Sequence, residues 1–425
     1  MSKPRVVIRA FTLRRDAAAA LLLAHELELQ GCRVIVASSR DFIRTMRYWK
    51  PDVAVINTIS QIRRCAELAP GAAIVVLPGE GANAKKHCDA VLLADDPGAY
   101  DIVDKFLLWG KATEGFFHEF LPGADHGKLA VCGNPRLELA KYNTELLRIP
   151  AGSKTVGFIG RYHTLNRYNE VPAIFSMQRP EKREGVLWQV ENFFCMITLI
   201  YRIIKETDFK ISIRPHPLEA PEGYGFMNEG VFAGRVDIDH SFDVAAWTAR
   251  QRVIVAPSSQ SFYEAYVLGV PMINIDPLTG NAERIREITP NAALSQIVSY
   301  TPATYDEAMA LIQRDLEPPP ANPEIDRHLD EFHDWFAPAS ATRRAADEIA
   351  AVAHGETRAM GVRLPTAVLD LWDRASFRRA QARDPLHANF NYHRHYHRTP
   401  DHFERVFGNI LAGRSILGEA DAPVR

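Results

Sequence analysis

The chain opens with a repeating contrast between short, wholly apolar runs and longer amphipathic stretches. Val6-Val7-Ile8 is followed by an amphipathic stretch from Asp16 to Gln30, and Gly31 stands where a helix takes its left-handed closing residue. Further apolar runs follow at Val34-Ile35-Val36, Val53 to Ile56, Ile74 to Leu77, Ala90 to Leu93, Phe106 to Leu108 and Leu129 to Val131. These runs do not alternate apolar with polar positions, as a strand with one wet face would. Unalternating runs separated by helices predict a parallel sheet covered on both faces. The expectation is a doubly wound, Rossmann-like α/β domain over residues 1–150.

The same pattern restarts after Pro150-Ala151-Gly152. Thr155 to Ile159 predicts a strand and Gly185 to Thr207 a long helix. Strands follow at Lys210 to Ile213, Val253 to Val255 and Met272 to Ile275, with a helix from Ser261 to Leu268 before the last. A second Rossmann-like domain is therefore expected over residues 151–320, ending at Pro318-Pro319-Pro320. Residues 321–425 read as a helical C-terminal extension with a histidine-rich stretch from His387 to His402. Two such domains predict a cleft between them, with ligands beyond the carboxyl ends of the strands.

Composition narrows the classes. With 425 residues, 47% hydrophobic and 24% charged, the chain is no disordered, collagenous or disulfide-scaffold sequence. Fifty basic against fifty-two acidic side chains leave a net charge of −2, so no global field draws nucleic acid. The five cysteines form no Cys-x-x-Cys pair, which points to a reducing cytoplasm without structural disulfides. The amino-terminal stretch lacks the pattern of a signal peptide. Phe193 to Ile204, the most apolar stretch, is shorter than the ~20 residues of a membrane span and reads as a core helix.

The chemistry gathers where strands end. Ile211 to Ile213 leads into Arg214-Pro215-His216-Pro217, in which two prolines stiffen the backbone that presents an imidazole beside a guanidinium. Such a pair suits a phosphate or a developing negative charge. Val253 to Ala256 leads into Pro257-Ser258-Ser259-Gln260-Ser261, with Glu264 one turn into the next helix. That turn reads either as an anion site with a ribose-binding carboxylate or as a capping box between Ser261 and Glu264. At the end of Thr155 to Ile159, Gly160 permits close backbone approach, and Arg161 or His163 could reach a phosphate. In the first domain, Glu80 stands between Gly79 and Gly81 and is the candidate catalytic carboxylate, as general base or nucleophile. Asn134 caps a helix beginning at Pro135, and Arg136 would face the interdomain cleft.

The Arg214-Pro215-His216-Pro217 string, Ser258-Ser259-Gln260-Ser261 with Glu264, Gly269-Val270-Pro271 and Gly133-Asn134-Pro135-Arg136 together resemble a known group. They are similar to motifs of GT-B glycosyltransferases that build bacterial capsules and other surface polysaccharides. These include capsule Kdo transferases and CDP-glycerol glycerophosphotransferases. The resemblance covers residues 1–350 and implies that His216 contacts the donor phosphate. It implies further that Ser258, Ser259 and Ser261 grip phosphate or cytidine, with Glu264 near the ribose. No adjacent Asp-Ser-Gly-Gly follows the serine turn, which counts against a non-hydrolysing UDP-sugar 2-epimerase.

The function expected is transfer of a sugar from a nucleotide donor, CMP-activated and Kdo-like, onto a bacterial surface glycan. The alternatives are a CDP-glycerol or CDP-ribitol polyol-phosphate transferase and a non-catalytic GT-B glycan-binding module. The expected partners are the nucleotide-sugar cosubstrate and a glycan or glycolipid acceptor, with peripheral contact at the inner membrane for a lipid-linked one. No other cofactor and no metal is expected, because histidine, arginine and a helix N-terminus can neutralise a leaving phosphate. The alternating His393, His395 and His397 lack a nearby carboxylate or cysteine pattern and read as a solvated or interdomain face.

Overall fold

In the computed structural model the described residues are 3–11, 13–79, 96–143, 154–166, 177–178, 180–239, 244–288, 290–355 and 364–383. Glu80, the expected strand Ala90–Leu93 and the histidine-rich stretch 387–402 lie outside them.

The chain forms two compact units. The first joins the residues up to Leu139 with those described from Pro323 to Arg383; the second runs from Ala140 to Asn322. The first carries β1 (Arg5–Ala10), α1 (Leu13–Leu29), β2 (Arg33–Ser38), β3 (Val53–Ile56), β4 (Ala73–Val76), β5 (Lys105–Leu108) and β6 (Leu129–Val131), and α2 (Pro135–Asn143) follows. Its sheet has the order β2-β1-β3-β4-β5-β6, with every pair parallel. Helix α1 ends as the pattern predicted: Gly31 takes φ +84° and the Cys32 N–H returns to the Leu27 carbonyl at 3.0 Å.

The strand pleat explains the missing polar alternation. Val7, Ala54, Ile56, Phe106 and Leu108 enter one core, whereas Val6, Ile8, Val53, Val55 and Leu107 enter the core on the opposite face. The second of these cores is closed by Leu23 and Leu27 of α1 and by residues distant in sequence. Helices α5 (Pro323–His333) and α6 (Ala341–His354) come after the second unit in sequence and return to the first. Ala345, Ala346, Ile349 and Ala353 of α6 are buried in it. Each large apolar side chain so buried contributes about 2 kcal/mol.

Three polar or backbone contacts fix that return. A Cβ on Gly110 would lie 2.5–2.6 Å from backbone atoms of Phe332, so the α5 end packs directly on glycine. Asn134 Nδ2 and His333 Nδ1 are 2.9 Å apart. The buried Glu138 carboxylate accepts the Ala341 and Thr342 N–H groups, each at 2.8 Å, and the Thr342 hydroxyl at 2.6 Å. It thereby satisfies first-turn amides of α6 that have no partner within the helix.

The second unit contains β7 (Thr155–Ile159), α3 (Pro180–Glu206), β8 (Lys210–Arg214), β9 (Val236–Ile238), β10 (Val253–Ala256), α4 (Phe262–Val267) and β11 (Met272–Asn274). Its parallel sheet runs β11-β10-β7-β8-β9. The strand β9 was not foreseen, because three partly wet residues at a sheet edge leave no apolar run to detect. Val156, Phe158, Ile211, Ile213 and Val255 pack against Cys195, Leu199, Ile200 and Ile203 of α3. Arg183–Glu206 is long and apolar enough to cross a membrane, yet its inner face belongs to this core. The cysteines Cys32, Cys65, Cys132 and Cys195 are buried and free. Burial pushes the Cys65 and Cys195 thiols up to about 11 and the Cys132 thiol up to about 12, so they stay protonated and unreactive.

Candidate functional site

In the second sheet the chain winds outward from β7 to β8 and β9, then returns to the other side of β7 as β10 and β11. The strand order therefore reverses between β7 and β10, the place where open α/β sheets bind ligands. Three neighbouring strands, β8, β7 and β10, deliver His216, the segment Gly160 to His163, and the serine turn to one carboxyl edge.

After β8, Pro215 is buried and His216 and Pro217 are half-buried. His216 Nδ1 accepts the Leu218 N–H at 3.1 Å, which leaves the ring proton on Nε2. The His163 ring lies with its centroid 5.0 Å from that of His216, at 34°. His163, noted in the sequence beside Arg161, thus joins the proline-flanked histidine. Arg161 donates through Nη1 to the Ser258 carbonyl, and its guanidinium lies 5.0 Å from the Trp188 ring centroid. That bond ties the end of β7 to the turn after β10, across the switch point itself.

Arg214 is placed differently from a ligand-facing guanidinium. It is 7% exposed, ion-paired with Asp239 and 5.8 Å from the Trp247 ring centroid. Its carbonyl accepts the Gly160 N–H at 2.8 Å. In this structure Arg214 braces the strand end that presents His216.

Close approach at Gly160 is made by the protein's own groups. A Cβ there would lie 2.9 Å and 3.1 Å from the Glu219 carboxylate oxygens and 3.0 Å from the Tyr224 hydroxyl. Glu219, which is 1% exposed, accepts the Tyr162 N–H at 2.6 Å and the Tyr224 hydroxyl at 2.5 Å. Burial first, and then the Glu219 charge, hold both tyrosines well above the usual range, so Tyr224 remains a donor. Glu219 belongs to no motif legible in the sequence, although it lies three residues beyond His216 on the same exit.

The serine turn divides into an inner and an outer part. Ser258 is fully buried; its N–H goes to Asp276 Oδ2 at 2.9 Å. Its hydroxyl receives Asn274 Nδ2 at 3.0 Å, Ser295 Oγ at 3.2 Å and Gln296 Nε2 at 3.3 Å. Ser258 therefore anchors the turn from inside. Ser259, Gln260 and Ser261 are half-buried, and the Ser261 N–H donates to Ser259 Oγ at 3.3 Å. The Ser261 side chain caps no amide of α4, so the serine half of a capping box with the buried Glu264 is not made. Helix α4 has six residues, which leaves the turn's own hydroxyls and amides as its polar resource. Asn274 is the last residue of β11 and Asp276 lies two positions beyond it, so both could have been found by the strand-end rule that singled out the other residues.

The first unit carries a pocket of its own at the carboxyl edge of its sheet. Its cavity volume is about 60 Å³, and it is lined by Arg9, Asp16, Asn57, Trp109 and Arg136, among others. Arg9 Nη1 donates to Asn57 Oδ1 at 3.2 Å, and Asp16 accepts Arg15 Nε at 2.9 Å. Arg136 Nη1 donates to the Gly79 carbonyl at 2.9 Å, and its guanidinium lies 5.8 Å from the Trp109 ring centroid. Asn134 Oδ1 accepts the Arg136 N–H at 3.0 Å and the Leu137 N–H at 3.3 Å, the cap expected ahead of Pro135. No group of three or more histidine, cysteine or carboxylate side chains able to hold a metal occurs among the described residues.

Neither a family model nor a curated protein matches the sequence. Solved structures do match the fold. One of the wall teichoic acid polymerase TagF, soaked with CDPG, aligns at TM-score 0.50 and 11% identity over 83% of this chain and 89% of that one. The UDP-GlcNAc 2-epimerase of Methanocaldococcus jannaschii, in complex with UDP-GlcNAc and UDP, aligns at 0.48 and 10% identity over 82% and 99%. The S. aureus MnaA–UDP structure aligns at 0.47 and 14% identity over 85% and 100%. At such identities what is shared is the architecture: two parallel Rossmann-like sheets in a GT-B-like fold.

Proposed function

We propose that the protein is a glycosyltransferase that moves a sugar from a cytidine-nucleotide donor, CMP-activated and Kdo-like, onto a bacterial surface glycan. The observation that carries this reading is the convergence of His216, His163, Arg161 and the outer serines at the switch point between β7 and β10. An acceptor oxygen would attack the anomeric carbon while the bond from that carbon to the phosphate oxygen breaks. Negative charge then grows on the leaving nucleotide. The His216 Nε2 proton and the Arg161 charge supply donors for that charge without a proton having to be recruited from water. Ser259 and Ser261 offer hydroxyls to the phosphate or cytidine, and Glu264 a carboxylate to the ribose. Glu80 remains the proposed general base or nucleophile on the acceptor side, and the reaction is assigned to the cytoplasm, at the membrane face if the acceptor is lipid-linked.

A second reading is a polyol-phosphate transferase using CDP-glycerol or CDP-ribitol, favoured by the CDPG soaked into the TagF structure of like fold. Both release CMP, but only the second leaves phosphate in the product. Incubation of the purified protein with CMP-, CDP-, UDP- and GDP-linked donors tests the assignment. Release of CMP with a phosphate-free product supports the first reading and phosphate in the product supports the second. If cytidine nucleotides neither bind nor turn over, the cytidine assignment fails.

A further inference from the structure

The outer face of α3 has no function in the site described above. Leu187, Phe194 and Tyr201 stand every seventh residue along it and are 44%, 65% and 46% exposed. Val190, Ile197 and Ile204 repeat at the same interval three residues later, and each is half-buried. Together the six occupy the a and d positions of a heptad repeat. The opposite face, with Cys195, Met196, Leu199 and Ile203, is fully committed to the core of the second unit. The exposed row thus points away from the body of its unit. From Leu187 to Ile204 the six positions run for about 26 Å at the helical rise of 1.5 Å per residue. Three large apolar side chains aligned in water are a contiguous patch rather than scattered exposure.

The charges beside this row identify what covers it. The positions flanking it on the solvent side are Glu184, Glu191, Thr198 and Lys205, acidic toward the amino end and basic toward the carboxyl end. Glu184 is held by Arg284 at 2.8 Å and Glu191 by Asn281 at 2.8 Å, while the Lys205 ammonium lies 5.8 Å from the Tyr201 ring. A helix with this polarity is complementary to a second copy of itself laid antiparallel. With all six apolar positions overlapped, Leu187 meets Ile204 of the other copy, Val190 meets Tyr201 and Phe194 meets Ile197. The same register brings Glu184 to Lys205 at both ends. A parallel copy would instead set acidic end against acidic end.

We propose that α3 is a self-association surface on which two copies of this chain pack as an antiparallel, two-fold-symmetric helix pair. Helices whose apolar positions repeat every seven residues pack by such interdigitation. A single helix pair is a small interface, so the dimer is reversible and of micromolar rather than nanomolar strength.

Sedimentation equilibrium of the full chain over a range of concentrations tests the proposal. The mass is expected to rise from one chain to two. Phe194→Glu with Tyr201→Glu should hold it at one chain, with circular dichroism and thermal midpoint unchanged because both side chains are exposed. Lys205→Glu should weaken association about tenfold, through two lost attractions and two new repulsions. Adding Glu184→Lys should restore it, which a parallel pair would not show. A single-chain mass at every concentration overturns the proposal, as does a dimer indifferent to Phe194→Glu. It also fails if Phe194 is needed for flotation with anionic phospholipid vesicles while the protein in solution stays one chain, since the face would then serve a membrane.

Discussion

The Glu219 carboxylate accepts the backbone N–H of Tyr162 at 2.6 Å, joining the exit of β8 to the exit of β7. The two residues are far apart in sequence, but Glu219 lies three positions after His216 and Tyr162 directly before His163. Glu219 is also the group against which Gly160 packs. One buried carboxylate therefore sets the separation of the two loops that the proposed donor site requires.

Glu219→Ala would leave the Tyr162 amide and the Tyr224 hydroxyl buried without their acceptor. A loss of about 3 kcal/mol is expected, since a buried charge-assisted pair is broken and its partners stay desolvated. Urea unfolding would measure it. Turnover in the surviving folded fraction should fall through kcat, because His163 and His216 lose their spacing; an unchanged kcat would separate Glu219 from the site.

His216→Asn keeps a polar side chain but removes the imidazole Nε2 proton. If that proton stabilises the leaving phosphate, kcat should fall about 10²–10³-fold with a smaller change in donor affinity. Because His216 is only half-buried, the thermal midpoint should hardly move. Steady-state kinetics with the donor identified by the nucleotide panel provide the readout. Equal loss of binding and turnover would instead make His216 a ground-state contact.

Glu138 tests the return of α6 to the first sheet. Replacing it with alanine strips the Ala341 and Thr342 amides and the Thr342 hydroxyl of one shared acceptor. The expected cost is about 2–3 kcal/mol. Hydrogen exchange should show the faster opening at α6 rather than in the second unit, which has its own core.

Acid should loosen the same region. Burial lowers His328 from 6.5 to about 4, and burial followed by the nearby His328 and Arg136 charges holds His333 well below its usual value. Between these values and 6.5 the unfolded chain binds protons that the folded one refuses. Stability is then complete above 6.5 and is lost as the pH falls toward 4. For His328 alone the loss is about 3 kcal/mol. Denaturant unfolding across this window should show the slope, and His328→Gln should flatten it.

The described strands up to β8, together with β10 and β11, were legible from short apolar runs, because a strand buried on both faces records its burial in consecutive residues. Helix α1 was legible through its amphipathic period and Gly31. The edge strand β9 was not, since partial exposure removes the contrast that marks a strand. The strand-end rule also brought His216, Arg161 and the serine turn to notice, because a parallel sheet delivers every strand exit to one edge.

The division of labour among those residues belongs to the tertiary structure. Nothing local to Arg214 reveals that Asp239 occupies it, nor that Ser258 turns inward to Asn274 and Gln296 while Ser259 stays half-buried. Glu219, Gly160 and Tyr224 become one contact only when β7 and β8 lie side by side. The class of fold follows from the order of residues alone, because hydrophobic periodicity is a property of neighbouring residues. Which polar groups are consumed by the protein and which remain at its edge depends on pairings between distant segments, and only the folded chain decides them.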